Sequence, residues 1–169
     1  MIPTGPEYLY RGLSAVATLD ASVDKALQPR RPGAFAYCFR ADGSIRAGDG
    51  ATAGVSAINA VLRHELRQEG FGSAGISTTP LLHRASFYAL AGRKRNVGVV
   101  ITIDRRLLGT YGVREFVVAA HIPRPSIPED EEVILVAADC GQLPREIVVN
   151  AVQIVAEQPA GADRRSAKW

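Results

Sequence analysis

Cysteine, methionine and tryptophan are scarce in this chain, at two, one and one of 169 residues, and there are only three histidines. Cys38 and Cys140 lie far apart and give neither a disulfide framework nor a metal-ligand spacing, so a reducing compartment is the default. His64, His83 and His121 are scattered, and His64-Glu65 lacks the second histidine that a helical zinc-protease motif needs. No structural or catalytic metal is expected. No apolar run approaches the roughly 18 residues that span a bilayer, and Met1-Ile-Pro-Thr-Gly-Pro6 lacks the basic-then-apolar pattern of an export signal. The expectation is a soluble protein with no membrane partner, either cytoplasmic or delivered to a target cell without a classical signal peptide. Charge of one sign is not in excess either. Twenty basic residues against 17 acidic leave a net +3, and Arg93-Lys94-Arg95 and Arg164-Arg165 read as solvated loop and tail charges, not as a nucleic-acid footprint.

What is present is an ordinary globular balance, 47% apolar and 22% charged, which suits one domain over residues 1–157 and a flexible tail over 158–169. Tyr8-Leu9-Tyr10-Arg11-Gly12 reads as a short strand closed by a glycine turn, with Arg11 at its end. Asp20 to Leu27 predicts a brief helix ended by Pro29 and Pro32-Gly33. Phe35 to Phe39 runs into the turn signal Ala41-Asp42-Gly43-Ser44, which predicts a hairpin or an ordered loop. From Thr52 to Glu69 the residues Val55, Ile58, Leu62 and Leu66 recur at helical spacing. Val97 to Ile103 is a β-branched strand. Further strands are predicted over Arg114–Ile122, Val133–Ala138 and Glu146–Val155. Helices concentrated in the first half and strands in the second give an α+β class with a mixed or antiparallel sheet.

The stretch from Gly75 to Tyr88 carries the most chemistry. Thr79 is a helix-cap residue and Pro80 suits a first helical position, so a helix is predicted from Pro80, with Leu81, Ala85 and Tyr88 on one stripe and Gly92 as its stop. Three features share an order along the chain: an arginine at the first strand, the Ser77-Thr78-Thr79 run, and the acids Glu129-Asp130-Glu131-Glu132 before Val133-Ile134-Leu135-Val136. Each alone has a plain reading, as a surface charge, a cap and a solvated turn. Together with Tyr88, they resemble the Arg–Ser–Glu class of mono-ADP-ribosyltransferases, the group of cholera-toxin-like and clostridial C3-like enzymes, over roughly residues 8 to 155.

The resemblance implies a split sandwich of β-sheets flanked by helices and an enzyme that transfers ADP-ribose from NAD to a macromolecule, releasing nicotinamide. Tyr10-Arg11-Gly12 is similar to the arginine motif that holds NAD, and Ile76-Ser77-Thr78-Thr79 to the Ser-Thr-Ser strand, with Thr79 in place of the last serine. Tyr88, or Phe87 beside it, matches the aromatic that packs on nicotinamide, and Glu132 the catalytic glutamate. Asp130 stands where that class carries the glutamate or glutamine that orients the acceptor. A register one residue earlier pairs Glu129 with Glu131 but buries Glu132 in the strand, so Glu132 is preferred. The implied catalytic residues are Arg11, Ser77 and Glu132, and the implied NAD contacts Arg11, Gly12, Ser77, Thr78, Phe87 and Tyr88. The resemblance also implies a toxin or effector whose acceptor is a protein more readily than a nucleic acid, a monomer, and an immunity protein if the producer is at risk. Two alternatives are an NAD glycohydrolase of the same fold and a non-catalytic effector that uses the fold for binding. The residue types suit the chemistry: a fixed carboxylate stabilises an oxocarbenium-like transition state, and a guanidinium grips phosphate oxygens in a bidentate way.

Overall fold

The computed structural model describes residues 1–33, 35–39, 45–47, 52–56, 60–61, 64 and 72–156. Among the described residues there are three three-stranded sheets, with every strand pair antiparallel, and with the helices they establish the α+β class. The first sheet orders β1 (Tyr8–Ser14), β6 (Val97–Asp104) and β9 (Val148–Val155), with β6 in the middle. Its central place explains the sequence of β6, Val-Gly-Val-Val-Ile-Thr-Ile-Asp, which is buried at every position after Val97 and needs β-branched residues on both faces. A second sheet orders β3 (Ile45–Ala47), β2 (Phe35–Phe39) and β4 (Thr52–Ser56). In the third, β8 (Val133–Ala137) lies between β5 (Ile76–Thr78) and β7 (Val113–Val117), and all five of its residues are buried.

Between the first and third sheets lies the main apolar core, which joins Leu9, Val99, Ile101 and Ile103 to Ile76, Val113, Val133 and Leu135. Helix α1 (Leu19–Leu27) closes it with Val23, Ala26 and Leu27. Its start is fixed by the Thr18 hydroxyl, which accepts a hydrogen bond from the Ala21 amide at 3.1 Å, and its ends carry Asp20 and Lys25 in the sense the helix dipole favours.

Helix α2 (Leu82–Ala89) covers the opposite face of the first sheet, packing Ala85 and Ala89 on Tyr10 and Val100. It approaches so closely that a Cβ at Gly12 would stand 1.8 Å from the Ala85 carbonyl oxygen, and one at Gly98 would stand 2.3 Å from that of Ala89. Gly12 is therefore no turn residue. Strand β1 continues through it to Ser14, and Arg11 belongs to the strand's interior, paired with Ile101.

Other elements also depart from the sequence expectation. Thr52–Ser56, predicted as the start of a long helix, is a strand paired with β2, while Ala60, Val61 and His64 are helical. The remainder of that predicted helix, the Ala41–Ser44 turn and the 158–169 tail lie outside the described residues. Among the described residues five of nine strands fall before residue 79, so strands are not concentrated in the second half. The strand predicted to reach Ile122 stops at Val117, where the Val118 amide donates to the Glu132 carbonyl at 2.9 Å and a short helix α4 (Val118–His121) follows the four-residue α3 (Arg105–Leu108) in chain order. Before β9, Arg145–Ile147 forms a 3-10 turn, so that strand begins at Val148. Helix α2 begins at Leu82, two residues later than Pro80 predicts, and no side chain caps its first turn: the Thr79 hydroxyl accepts from the Leu81 amide and donates to the neighbouring Asp130 carbonyl.

Candidate active site

Strand β1 of the first sheet and β5 of the third run together only briefly. Their backbones exchange two hydrogen bonds between Tyr10 and Thr79, at 2.8 and 2.9 Å, and beyond that bridge the sheets part. The opening is a cleft of about 840 Å³ whose lining includes Arg11, Gly12, Ser77, Thr78, Thr79, Tyr88, Asp130 and Glu132. A volume of this size lies within the range of small-molecule sites.

Arg11 reaches across the gap, and its Nη1 donates to the Ser77 carbonyl at 2.7 Å. Its Nε is buried and has no hydrogen-bond partner. Burial, reinforced by the charge of Arg30 and opposed by Glu132, pushes the guanidinium down to about 10. It remains cationic at neutral pH, and Arg30 adds a second cation to the cleft lining.

On the opposite wall, three consecutive hydroxyls stitch β5 to the acidic segment. Ser77 Oγ donates to Glu132 Oε1, Thr78 Oγ1 to the Val133 carbonyl at 2.6 Å, and Thr79 Oγ1 to the Asp130 carbonyl at 2.5 Å. Period-two alternation turns the Ser77 side chain toward the cleft and that of Thr78 away from it, and the β5–β8 register, with Ser77 on Ile134, puts Glu132 two residues from that partner on the same face. His64 Nε2 also lies 3.1 Å from Glu132 Oε1. Two groups therefore converge on one carboxylate oxygen, and the side chain is only 13% exposed.

The preceding turn decides which acid faces in. Pro128–Asp130 is a 3-10 turn, and Glu131 follows in the left-handed region at φ 47°. That reversal sends Glu131 to solvent while Asp130, 8% exposed, and Glu132 point inward. Asp130 Oδ1 accepts from Arg84 Nε at 2.6 Å, and Arg84 Nη2 lies 2.6 Å from the same oxygen. The Tyr88 hydroxyl donates to Asp130 Oδ2. The hydrogen bond to Asp130 raises the Arg84 guanidinium, and burial followed by Asp130 raises the Tyr88 phenol.

The structure thus brings Arg11, Gly12, Ser77, Thr78, Tyr88, Asp130 and Glu132 to one cleft. Phe87 stands apart: the residue is 44% exposed, and its ring packs beside Gly92 and meets Tyr88 edge-on at 5.6 Å. The Thr78 hydroxyl is committed to β8, and the bare Cα of Gly12 admits α2. Sequence reasoning missed His64, Arg30 and Arg84. The i, i+4 spacing of Arg84 and Tyr88 was a usable signal for one shared helix face, whereas nothing in the sequence marked His64 or Arg30. Among the described residues no cluster of three or more His, Cys, Asp or Glu side chains could hold a metal ion, and no helix is long and apolar enough to cross a membrane.

Fold and site together define an α+β protein with a carboxylate and a guanidinium on the lining of one cleft. The family model described as NarE matches residues 8–135, and the chain belongs to that family. The matched stretch contains Arg11, Ser77, Tyr88, Asp130 and Glu132. No curated protein matches the chain.

Proposed function

We propose that the protein is an NAD-dependent mono-ADP-ribosyltransferase of split-sandwich fold, acting as a toxin or effector on a macromolecular acceptor. The observation that carries this reading is the Ser77-held carboxylate of Glu132 facing the partly unpaired guanidinium of Arg11 in one cleft. NAD fits the donors present. Its diphosphate would draw Arg11 and Arg30, and the ring of Tyr88, a half-exposed residue on the cleft lining, would offer a flat face to nicotinamide.

In this reading Arg11 orients the dinucleotide, and Glu132 faces the ribose as positive charge develops at its anomeric carbon. The nicotinamide C–N bond breaks, nicotinamide leaves with the bonding pair, and the acceptor nucleophile forms the new bond and loses its proton. Ser77 holds the carboxylate in place beforehand, so little reorganisation is needed when the charge appears. His64 supplies a second contact to the same oxygen.

A specific observation favours the NAD glycohydrolase as second reading: both oxygens of Asp130 are engaged by Arg84 and Tyr88, so the position expected to orient an acceptor is occupied from within. Incubation with NAD labelled in the adenylate half, in the presence of cell lysate, separates the two. A transferase releases nicotinamide and labels macromolecules, and a glycohydrolase releases nicotinamide alone. If NAD neither releases nicotinamide nor raises the melting temperature, the non-catalytic reading stands in their place.

A further inference from the structure

We infer that Arg84 is a positioning residue: through Asp130 it fixes the turn that delivers Glu132 to the cleft, and Asp130 serves this purpose instead of orienting an acceptor. The inference rests on the reading of Glu132 as the working carboxylate. Both carboxylate oxygens of Asp130 are engaged inside the protein, Oδ1 by Arg84 and Oδ2 by Tyr88. The Asp130 backbone is held as well, since its carbonyl accepts from Thr79 at 2.5 Å. One residue is thus gripped from α2 through its side chain and from the Ser-Thr-Thr run through its main chain. Glu132 follows two residues later, across the left-handed Glu131, and the grip on Asp130 fixes where that segment begins.

The anchor at the other end of this linkage is firm. Arg84 and Tyr88 lie one helical turn apart on α2, and α2 is seated on β1 and β6 at Gly12 and Gly98 with no room to slide inward. The Arg84 guanidinium also lies 5.2 Å from the Phe87 ring centre and 5.6 Å from that of Tyr88, so the exposed aromatic pair helps hold it in place. Position therefore passes from sheet to helix, from helix to Asp130, and from Asp130 to Glu132. An Asp130 carboxylate paired with Arg84 offers no free negative charge to an incoming guanidinium, which removes the basis for an arginine acceptor steered by this residue.

The test compares Arg84→Gln, Arg84→Lys, Tyr88→Phe and Asp130→Asn with the unaltered protein. Nicotinamide release from NAD is followed for kcat and KM, with macromolecule labelling alongside it and amide hydrogen exchange at Glu131 and Glu132. Arg84→Gln is expected to lower kcat on the order of tenfold to a hundredfold, as small misplacements of a reacting group do, with KM for NAD little changed and faster exchange at both amides. Arg84→Lys, which keeps charge but not the fork, should recover part of kcat, and Tyr88→Phe, which keeps the ring, should lose less than Arg84→Gln. Asp130→Asn should depress nicotinamide release and labelling equally.

Unchanged kcat and exchange in Arg84→Gln would overturn the inference. So would an Asp130→Asn variant that loses labelling but still releases nicotinamide at the original rate, since Asp130 would then serve the acceptor. Should Arg84→Gln fail to fold, Tyr88→Phe, which deletes one hydroxyl, gives the same two readouts. If the unaltered protein releases no nicotinamide, the transferase and glycohydrolase readings fall, while the exchange measurement still decides whether Arg84 holds the Glu132 segment.

Discussion

Glu131 and Glu132 are joined by a single peptide bond and differ in every surrounding. Glu132 is bonded by Ser77 and lies beside His64 in the cleft, whereas Glu131 is exposed in a left-handed turn. Glu132→Gln is accordingly expected to reduce kcat for nicotinamide release by about 10²–10³-fold, the usual effect of removing one preorganised electrostatic group, while NAD binding measured by calorimetry is retained. Glu131→Gln is expected to leave kcat unchanged. A variant pair with the opposite pattern would mean that the segment shifts by one residue when substrate binds. From the sequence the two registers could be ranked by one physical argument, that a charged Glu132 inside the strand is costly. The left-handed φ that settles their directions was not legible, because glutamate is not a residue that signals such a turn. His64 was invisible for a similar reason. It reaches Glu132 from a segment 68 residues earlier (132 − 64 = 68), and no local pattern encodes that approach.

At the scale of elements, the site depends on how deeply α2 is seated. Gly12→Ala would place a methyl group 1.8 Å from a backbone carbonyl oxygen, and a helix backbone cannot yield as a flexible side chain does. A stability loss of about 3 kcal/mol or more is expected, at or above the upper end of overpacking costs, and denaturant unfolding would measure it. A loss under about 1 kcal/mol would show that the helix can lift away. The sequence made β6 and β8 plain because central strands must be apolar on both faces. It misled over Thr52–Ser56, where Val55 fitted a helical stripe continued by Ile58 and Leu62, yet pairing with β2 prevails over periodicity. Thr79 was read as a cap, and its hydroxyl does accept from the Leu81 amide at 3.0 Å. What could not be read is that the same hydroxyl also donates to the Asp130 carbonyl, because the acidic turn is brought alongside only by the β5–β8 pairing.

Across the whole molecule, charge contributes to stability at defined places. At the end of β6, Asp104 accepts from the Arg106 amide at 2.9 Å and from its guanidinium at 2.6 Å, and that side-chain bond holds the Asp104 carboxyl below its ordinary value of 3.8. A carboxyl lowered in the folded state contributes stability that is present above the unfolded value and is lost as pH falls through the folded one. Asp104→Asn keeps a capping oxygen but has no charge to lose. The melting temperature of the variant should therefore fall less steeply with acid than that of the unaltered protein in the region at and below pH 3.8. Parallel curves would show that Asp104 is no better paired when folded than when unfolded. The parting of the two sheets at Tyr10 and Thr79 bears on the molecule as a whole. Two plates joined at a root open like a book, and whatever bridges their free edges acts as a second binding along the spine. Arg11 already spans part of that opening with one hand unoccupied. Occupancy should thus be felt as stiffness well before any product is counted, and heat resistance becomes a chemical sensor for what the cleft accepts.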